Sequence, residues 1–119
     1  MTKQECLHAF WSSFGWKAYD ETSVPDDAQL PRITYDYAET DFGENISLNA
    51  SLWERATGWR GVTSKSTQIG DYIGRGGVIL RYDDGAMWIT RSVPWAQRMG
   101  DDDDTLRRIV LGITIEFID

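Results

Sequence analysis

His8 is the only histidine of the chain and Cys6 the only cysteine. A catalytic thiol needs a base within hydrogen-bond reach. Residues two apart on a helix do not face each other, so this spacing gives no Cys/His nucleophilic pair and leaves His8 as a surface or interfacial side chain. Zinc sites need a clustered Cys/His set, which a single histidine and a single cysteine do not form. Asp101, Asp102, Asp103 and Asp104 gather hard oxygen ligands. Calcium loops, however, space their ligands around a tight turn and supply a late bidentate carboxylate. The uninterrupted run therefore reads as a solvated or partner-facing loop. Gly74-Arg75-Gly76-Gly77 could offer amides to an anion, but it follows a predicted helix and lacks the downstream Lys-Ser/Thr of a phosphate loop. It reads as a backbone turn. The expectation is a chain with no catalytic, metal-binding or cofactor-binding residues, and not an enzyme.

What remains conspicuous is aromatic and cationic. Each of the six tryptophans is bulky and carries an indole N–H that seeks a polar partner. Trp11 belongs to the core side of a helix and Trp88 to a sheet face, whereas Trp53, Trp59 and Trp95 fall beside polar or turn-rich segments. Those three are candidates for a subunit or partner interface, with packing inside the chain as the competing reading. Arg98, Arg107 and Arg108 are further candidates, close enough in sequence to offset the acidic run within one chain or between chains.

Charge narrows the possible partners. The formal net charge is −7, and residues 1–54 carry three basic and ten acidic side chains against nine of each in 55–119. A protein that grips duplex DNA needs a basic footprint against phosphate, so this balance disfavours specific nucleic-acid binding. No run approaches the ~20 apolar residues that span a bilayer, and neither export nor membrane insertion is expected. A lone cysteine fits a reducing compartment.

These residues must be positioned by a small set of elements. Thr2 and Glu5 have capping-box spacing, and Leu7, Phe10, Trp11 and Phe14 share one helical face, predicting a helix over about residues 3–13 that Gly15 stops. A short extended segment, Trp16–Tyr19, precedes a loop containing Val24-Pro25 and Leu30-Pro31. Period-two alternation predicts strands over residues 32–39 and 45–53, paired antiparallel through the turn-like Asp41-Phe42-Gly43-Glu44. A second helix is expected over about residues 63–73 with Thr63 or Ser64 as its cap. Asp83-Asp84-Gly85 signals a hairpin between Val78–Tyr82 and Ala86–Arg91, Val93-Pro94-Trp95 reads as nonrepetitive, and residues 109–117 alternate as a long terminal strand. The sum is one α+β domain over residues 1–119, a mixed and largely antiparallel sheet with an N-terminal helix and one inserted helix packed against it.

In the order of these pieces the chain resembles the tail terminator, or tail completion, proteins of long-tailed bacteriophages. The likeness runs through the early helix, Val24-Pro25, Leu30-Pro31-Arg32-Ile33-Thr34-Tyr35, Ser47–Trp53, Trp59, the helix near Lys65–Ile73, Gly76–Tyr82, Met87–Ile89, Pro94–Met99 and Arg107–Phe117. It is a likeness of overall pattern, with no enzyme motif in it.

The resemblance implies a structural protein of the virion neck, at the head-proximal end of the tail and assembled in the bacterial host cytoplasm. It implies a ring, usually of six copies, whose opposite faces meet the tail tube protein and the head-completion or connector protein, with DNA passing through the opening without sequence-specific contacts. Within it, Trp53, Trp59, Trp95, Arg98, Arg107 and Arg108 are candidate contacts, and Asp101 through Asp104 a candidate lumen or axial acidic surface. Two other readings stay open: a small monomeric module binding carbohydrate or peptide through exposed tryptophans, and a related head-closure protein.

Overall fold

A computed structural model of the chain describes residues 1–40 and 44–118. The elements in chain order are α1 (Lys3–Ser12), β1 (Lys17–Asp20), β2 (Arg32–Tyr35), β3 (Asn45–Arg55), α2 (Arg60–Ile73), β4 (Val78–Tyr82), β5 (Gly85–Met99) and β6 (Leu106–Ile118). The six strands form one sheet in the order β1-β2-β3-β6-β5-β4. Among the described residues only β1 and β2 run parallel, so the sheet is mixed and largely antiparallel as expected. Among the described residues no helix is long and apolar enough to cross a membrane.

α1 forms where its cap predicts. The Thr2 hydroxyl accepts from Glu5 N (3.1 Å) and the Glu5 carboxylate from Thr2 N (2.9 Å), satisfying two donors that a helix start leaves open. Its buried side chains Cys6, Leu7, Phe10 and Trp11 share one face and join a continuous core with Ile33, Tyr35, Leu52, Ile69 and the inward residues of β6. Gly15 takes φ +92°, a conformation open to glycine without a Cβ penalty, and turns the chain into β1. Lys65 of α2 donates to Phe14 O at 2.6 Å, and Phe14 meets Tyr72 edge-on, so the two helices close over the same side of the sheet.

β2 ends at Tyr35, four residues short of the expected strand. Asp36 donates its N–H to Asn49 O, while its carboxylate accepts from Asn49 N at 2.8 Å, so a side chain replaces the backbone carbonyl and the ladder stops. The antiparallel pairing of β2 with β3 is as expected, and the stretch Asp41-Phe42-Gly43 lies outside the described residues.

α2 begins at Arg60, three residues before the expected start, and neither Thr63 nor Ser64 caps it. Thr63 N already donates to Trp59 O in the first helical turn, and Trp59 supplies no side-chain cap. The Glu54 carboxylate of β3 stands beside this first turn, its Oε1 without a hydrogen-bond partner among the described residues. A Cβ on Gly61 would lie 2.3 Å from Glu54 Oε1, so glycine there admits an acidic group beside the helix N-terminus, where the dipole favours it.

The β4–β5 hairpin turns through Asp83 and Asp84, with Tyr82 paired to Gly85. Gly85 is not among the positive-φ residues, and Asp83 N donates to Met1 O, so the turn leans on the chain start instead of on a left-handed glycine. Val93-Pro94-Trp95, expected to be nonrepetitive, lies inside β5. Register jumps from Arg91↔Ile113 to Ala96↔Leu111, so residues 92–95 bulge opposite Gly112 alone. A Cβ at Gly112 would sit 3.2 Å from both Pro94 O and Ser92 Cβ.

Candidate functional site

Alternation along β3 and β6 sorts their side chains onto two faces. Leu48, Ala50 and Leu52 pair with Ile113, Leu111 and Ile109 beneath the helices. On the other face Asn45, Ser47, Asn49, Ser51 and Trp53 lie beside Glu116, Thr114, Gly112, Val110 and Arg108. Among the described residues no helix covers that face, which is dominated by hydroxyl and amide groups and ends in an aromatic–arginine pair.

Trp53 is directly opposite Arg108, whose guanidinium carbon stands 4.6 Å from the indole centroid, a cation–π distance. Trp53 Nε1 donates to Thr34 Oγ1 at 2.9 Å and Arg108 Nε to Ser51 Oγ at 3.1 Å. Trp53 Nε1 and Arg108 Nε are thus both held, while Trp53 stays half-exposed. Beside it opens a recess of about 450 Å³ lined by Ala28, Gln29, Leu30, Arg32, Trp53, Arg55 and Leu106.

On the helix side of the same sheet end, two cations approach the Trp59 ring, Arg98 at 4.9 Å and Arg107 at 5.3 Å from its centroid. Arg107 Nη2 also donates to Thr57 O at 2.7 Å, tying the β3–α2 connection to β6. Trp95 is half-buried against α2, where a Cβ on Gly70 would meet its Nε1 at 2.8 Å. The structure therefore brings Trp53, Trp59, Arg98, Arg107 and Arg108 to one end of the sheet, and sets Trp95 apart on the bulge.

The acidic run forms the β5–β6 turn at that same end, and all four aspartates are exposed. Asp103 Oδ1 accepts from Thr105 N and Oγ1, and Arg55 Nη1 reaches Asp103 Oδ2 at 2.9 Å. The Thr105 hydroxyl, the Arg55 guanidinium and the Thr105 amide hold the Asp103 carboxyl far below the usual carboxylate range. Within the chain the ionic partner of the run is thus Arg55, whereas the arginines selected for that role from the sequence lie against tryptophan rings. Arg55 and Asp103 are 48 residues apart, and only the β3–β6 register, which pairs Arg55 with Leu106, joins them.

His8 sits on the exposed side of α1 with Nδ1 2.7 Å from the Tyr35 hydroxyl. Burial pushes the Tyr35 phenol up, so this oxygen is held neutral. Cys6 is buried with Sγ 3.7 Å from Arg81 O, and burial raises its thiol as well. Neither is activated. Among the described residues no group of three His, Cys, Asp or Glu side chains is placed to hold a metal.

No protein-family model matches the chain, and no curated protein does. Among solved structures the fold is similar to that of a chain in the virion of a native gene transfer agent particle, with a TM-score of 0.61 at 17% identity. The likeness covers 93% of this chain and 83% of the other, so it extends over nearly all of the elements described above.

Proposed function

We propose that this chain is a structural, non-catalytic component of a tailed virion particle, and specifically a tail terminator. In this reading copies assemble into a ring, six in the expected form, that caps the last ring of tail tube protein and presents its other face to the head-completion or connector protein. DNA passes through the opening without sequence-specific contacts, and the assembled ring belongs to the virion neck. The observation that carries this reading is the likeness, across 93% of the chain, to the fold of a chain in a gene transfer agent virion. The ordered sequence resemblance to tail terminators supports the finer assignment, and the paired tryptophans and arginines at one sheet end are the residue types that assembly interfaces use as anchors.

A monomeric carbohydrate- or peptide-binding module draws less support, because Trp53, Trp59 and Trp95 are all half-buried and engaged with arginines, Thr34 or α2. Mass measurement of the purified chain separates the two. A discrete ring is expected; a monomer whose tryptophan emission responds saturably to a glycan would support the binding module instead. Complementation of a tail-joining defect against a head-closure defect distinguishes the terminator from a head-closure protein.

A further inference from the structure

The two margins of the sheet differ in backbone pairing and in charge. At one margin, β4 covers β5 only as far as Val78↔Ile89. Beyond Ile89, β5 is paired on its β6 side alone, at Thr90–Arg91 and Ala96–Met99, and its outer rim offers unpaired backbone groups, the usual template for adding another strand or loop. The bulge lifts Val93 out to 97% exposure. Between the bulge and the turn after α2 lies a recess of about 320 Å³ lined by Arg75, Thr90, Arg91, Val93 and Trp95, among others. Residues 74–99 carry four basic side chains, Arg75, Arg81, Arg91 and Arg98, against two acidic ones.

At the opposite margin, β1, β2 and their connection carry the reverse charge. Residues 17–35 hold two basic side chains against four acidic, of which Glu21, Asp26 and Asp27 project from the exposed β1–β2 connection. A basic margin facing its own copy repels, and so does an acidic one. Copies paired through these margins therefore meet unlike surfaces, in a heterologous contact that generates a ring when its rotation closes.

We infer that copies of this chain associate head to tail, the open β5 rim of one copy, with Arg75 and Arg91, receiving the acidic β1–β2 connection, with Asp26 and Asp27, of the next. This rests on the ring reading proposed above and assigns its subunit contact. The chemistry is mixed by design: the rim supplies backbone donors and acceptors, Val93 and Trp95 supply apolar area, and the arginines select an acidic segment over a basic one.

Two variants test it, R75E/R91E on the rim and D26K/D27K on the connection, each studied as the purified full chain by native mass spectrometry. Each alone should form rings ~10-fold or more less abundantly than the wild type, since like charges now face each other. An equimolar mixture should regain rings, with the two variants alternating, because the glutamates of one meet the lysines of the other and its native arginines meet native aspartates. Misfolded chains cannot be rescued in this way. Wild-type ring abundance in either variant alone overturns the assignment of the contact while leaving the ring intact. Two variants that fail alone and are not restored by mixing overturn it equally. A wild-type chain that remains monomeric removes the ring reading, and this inference with it.

Discussion

The helix-covered face and the bare face of the sheet are built from the same strands, one residue from each in turn, and they are held by different chemistry. Beneath the helices, Leu52, Leu111, Ile113 and Ile115 are fully buried. Across the backbone from them, the bare face carries Ser47, Asn49 and Thr114, the last with its hydroxyl 2.8 Å from Ser92 Oγ, and at its end Trp53 and Arg108 lock onto each other and onto Thr34 and Ser51. The first face stores folding free energy by removing apolar surface from water. The second leaves a surface that folding does not consume and that a partner can use.

The sharpest way to break this comparison is to truncate both faces. Leu111→Ala should cost ~2–5 kcal/mol in a denaturant titration, the range for emptying a packed core site, whereas Ser47→Ala on the bare face should stay within ~0.5 kcal/mol. Equal losses would mean that the bare face is also part of the folding core. Gly70→Ala should cost ~1–3 kcal/mol by driving a Cβ into the Trp95 indole. In a Trp95→Ala background the same change should turn stabilising, by up to ~1 kcal/mol, because alanine is the better helix former. A cost unchanged by removal of Trp95 would sink the proposed close packing.

A smaller effect probes the bare face. A double-mutant cycle on Trp53→Ala and Arg108→Ala should return a coupling of ~0.5–1 kcal/mol, the range for a partly exposed cation–π pair. Additive losses would show that the ring contact contributes nothing. The smallest concerns the acidic turn. The Asp103 carboxyl is depressed, so its contribution is present above the unfolded value near ~3.9 and is lost as pH falls from there toward the lower folded value. Asp103→Asn should abolish that acid-limb dependence, seen as broadening of Thr105 and Leu106 amide signals in the parent chain below ~4 but not in the variant. Identical acid behaviour in both would remove Asp103 as the anchor.

Local signals explain why some of this was legible before the structure. The Thr2–Glu5 cap and the alternation through Ile109, Leu111, Ile113, Ile115 and Phe117 are encoded within a few residues, and α1 and β6 appear where they point. Features that depend on register were not. The expected strand over 32–39 stops at Tyr35 because Asn49, far along the chain, engages the Asp36 side chain. The start of α2 at Arg60 is announced by no capping residue, since Trp59 supplies no side-chain cap. Pro94 masks the continuation of β5, since a proline in a strand ordinarily argues against one, and only the bulge opposite Gly112 accommodates it.

The same limit governs the candidate site. Residue type alone pointed to Trp53, Trp59, Arg98, Arg107 and Arg108, but their pairing into cation–aromatic contacts depends on which strands are neighbours. Arg55 carried no distinguishing local pattern and Arg75 stood only in a glycine-rich stretch read as a turn, and each lies where the sheet order sets it: beside the acidic turn for Arg55, beside the open β5 rim for Arg75.

The most direct test of the central claim is electron microscopy of particles made when this gene is deleted from the genome that encodes it. A tail terminator predicts filled heads and separate tails of poorly controlled length, with joining and infectivity restored by the wild-type chain supplied in trans. Joined, infectious particles with tails of normal length in its absence would contradict the assignment.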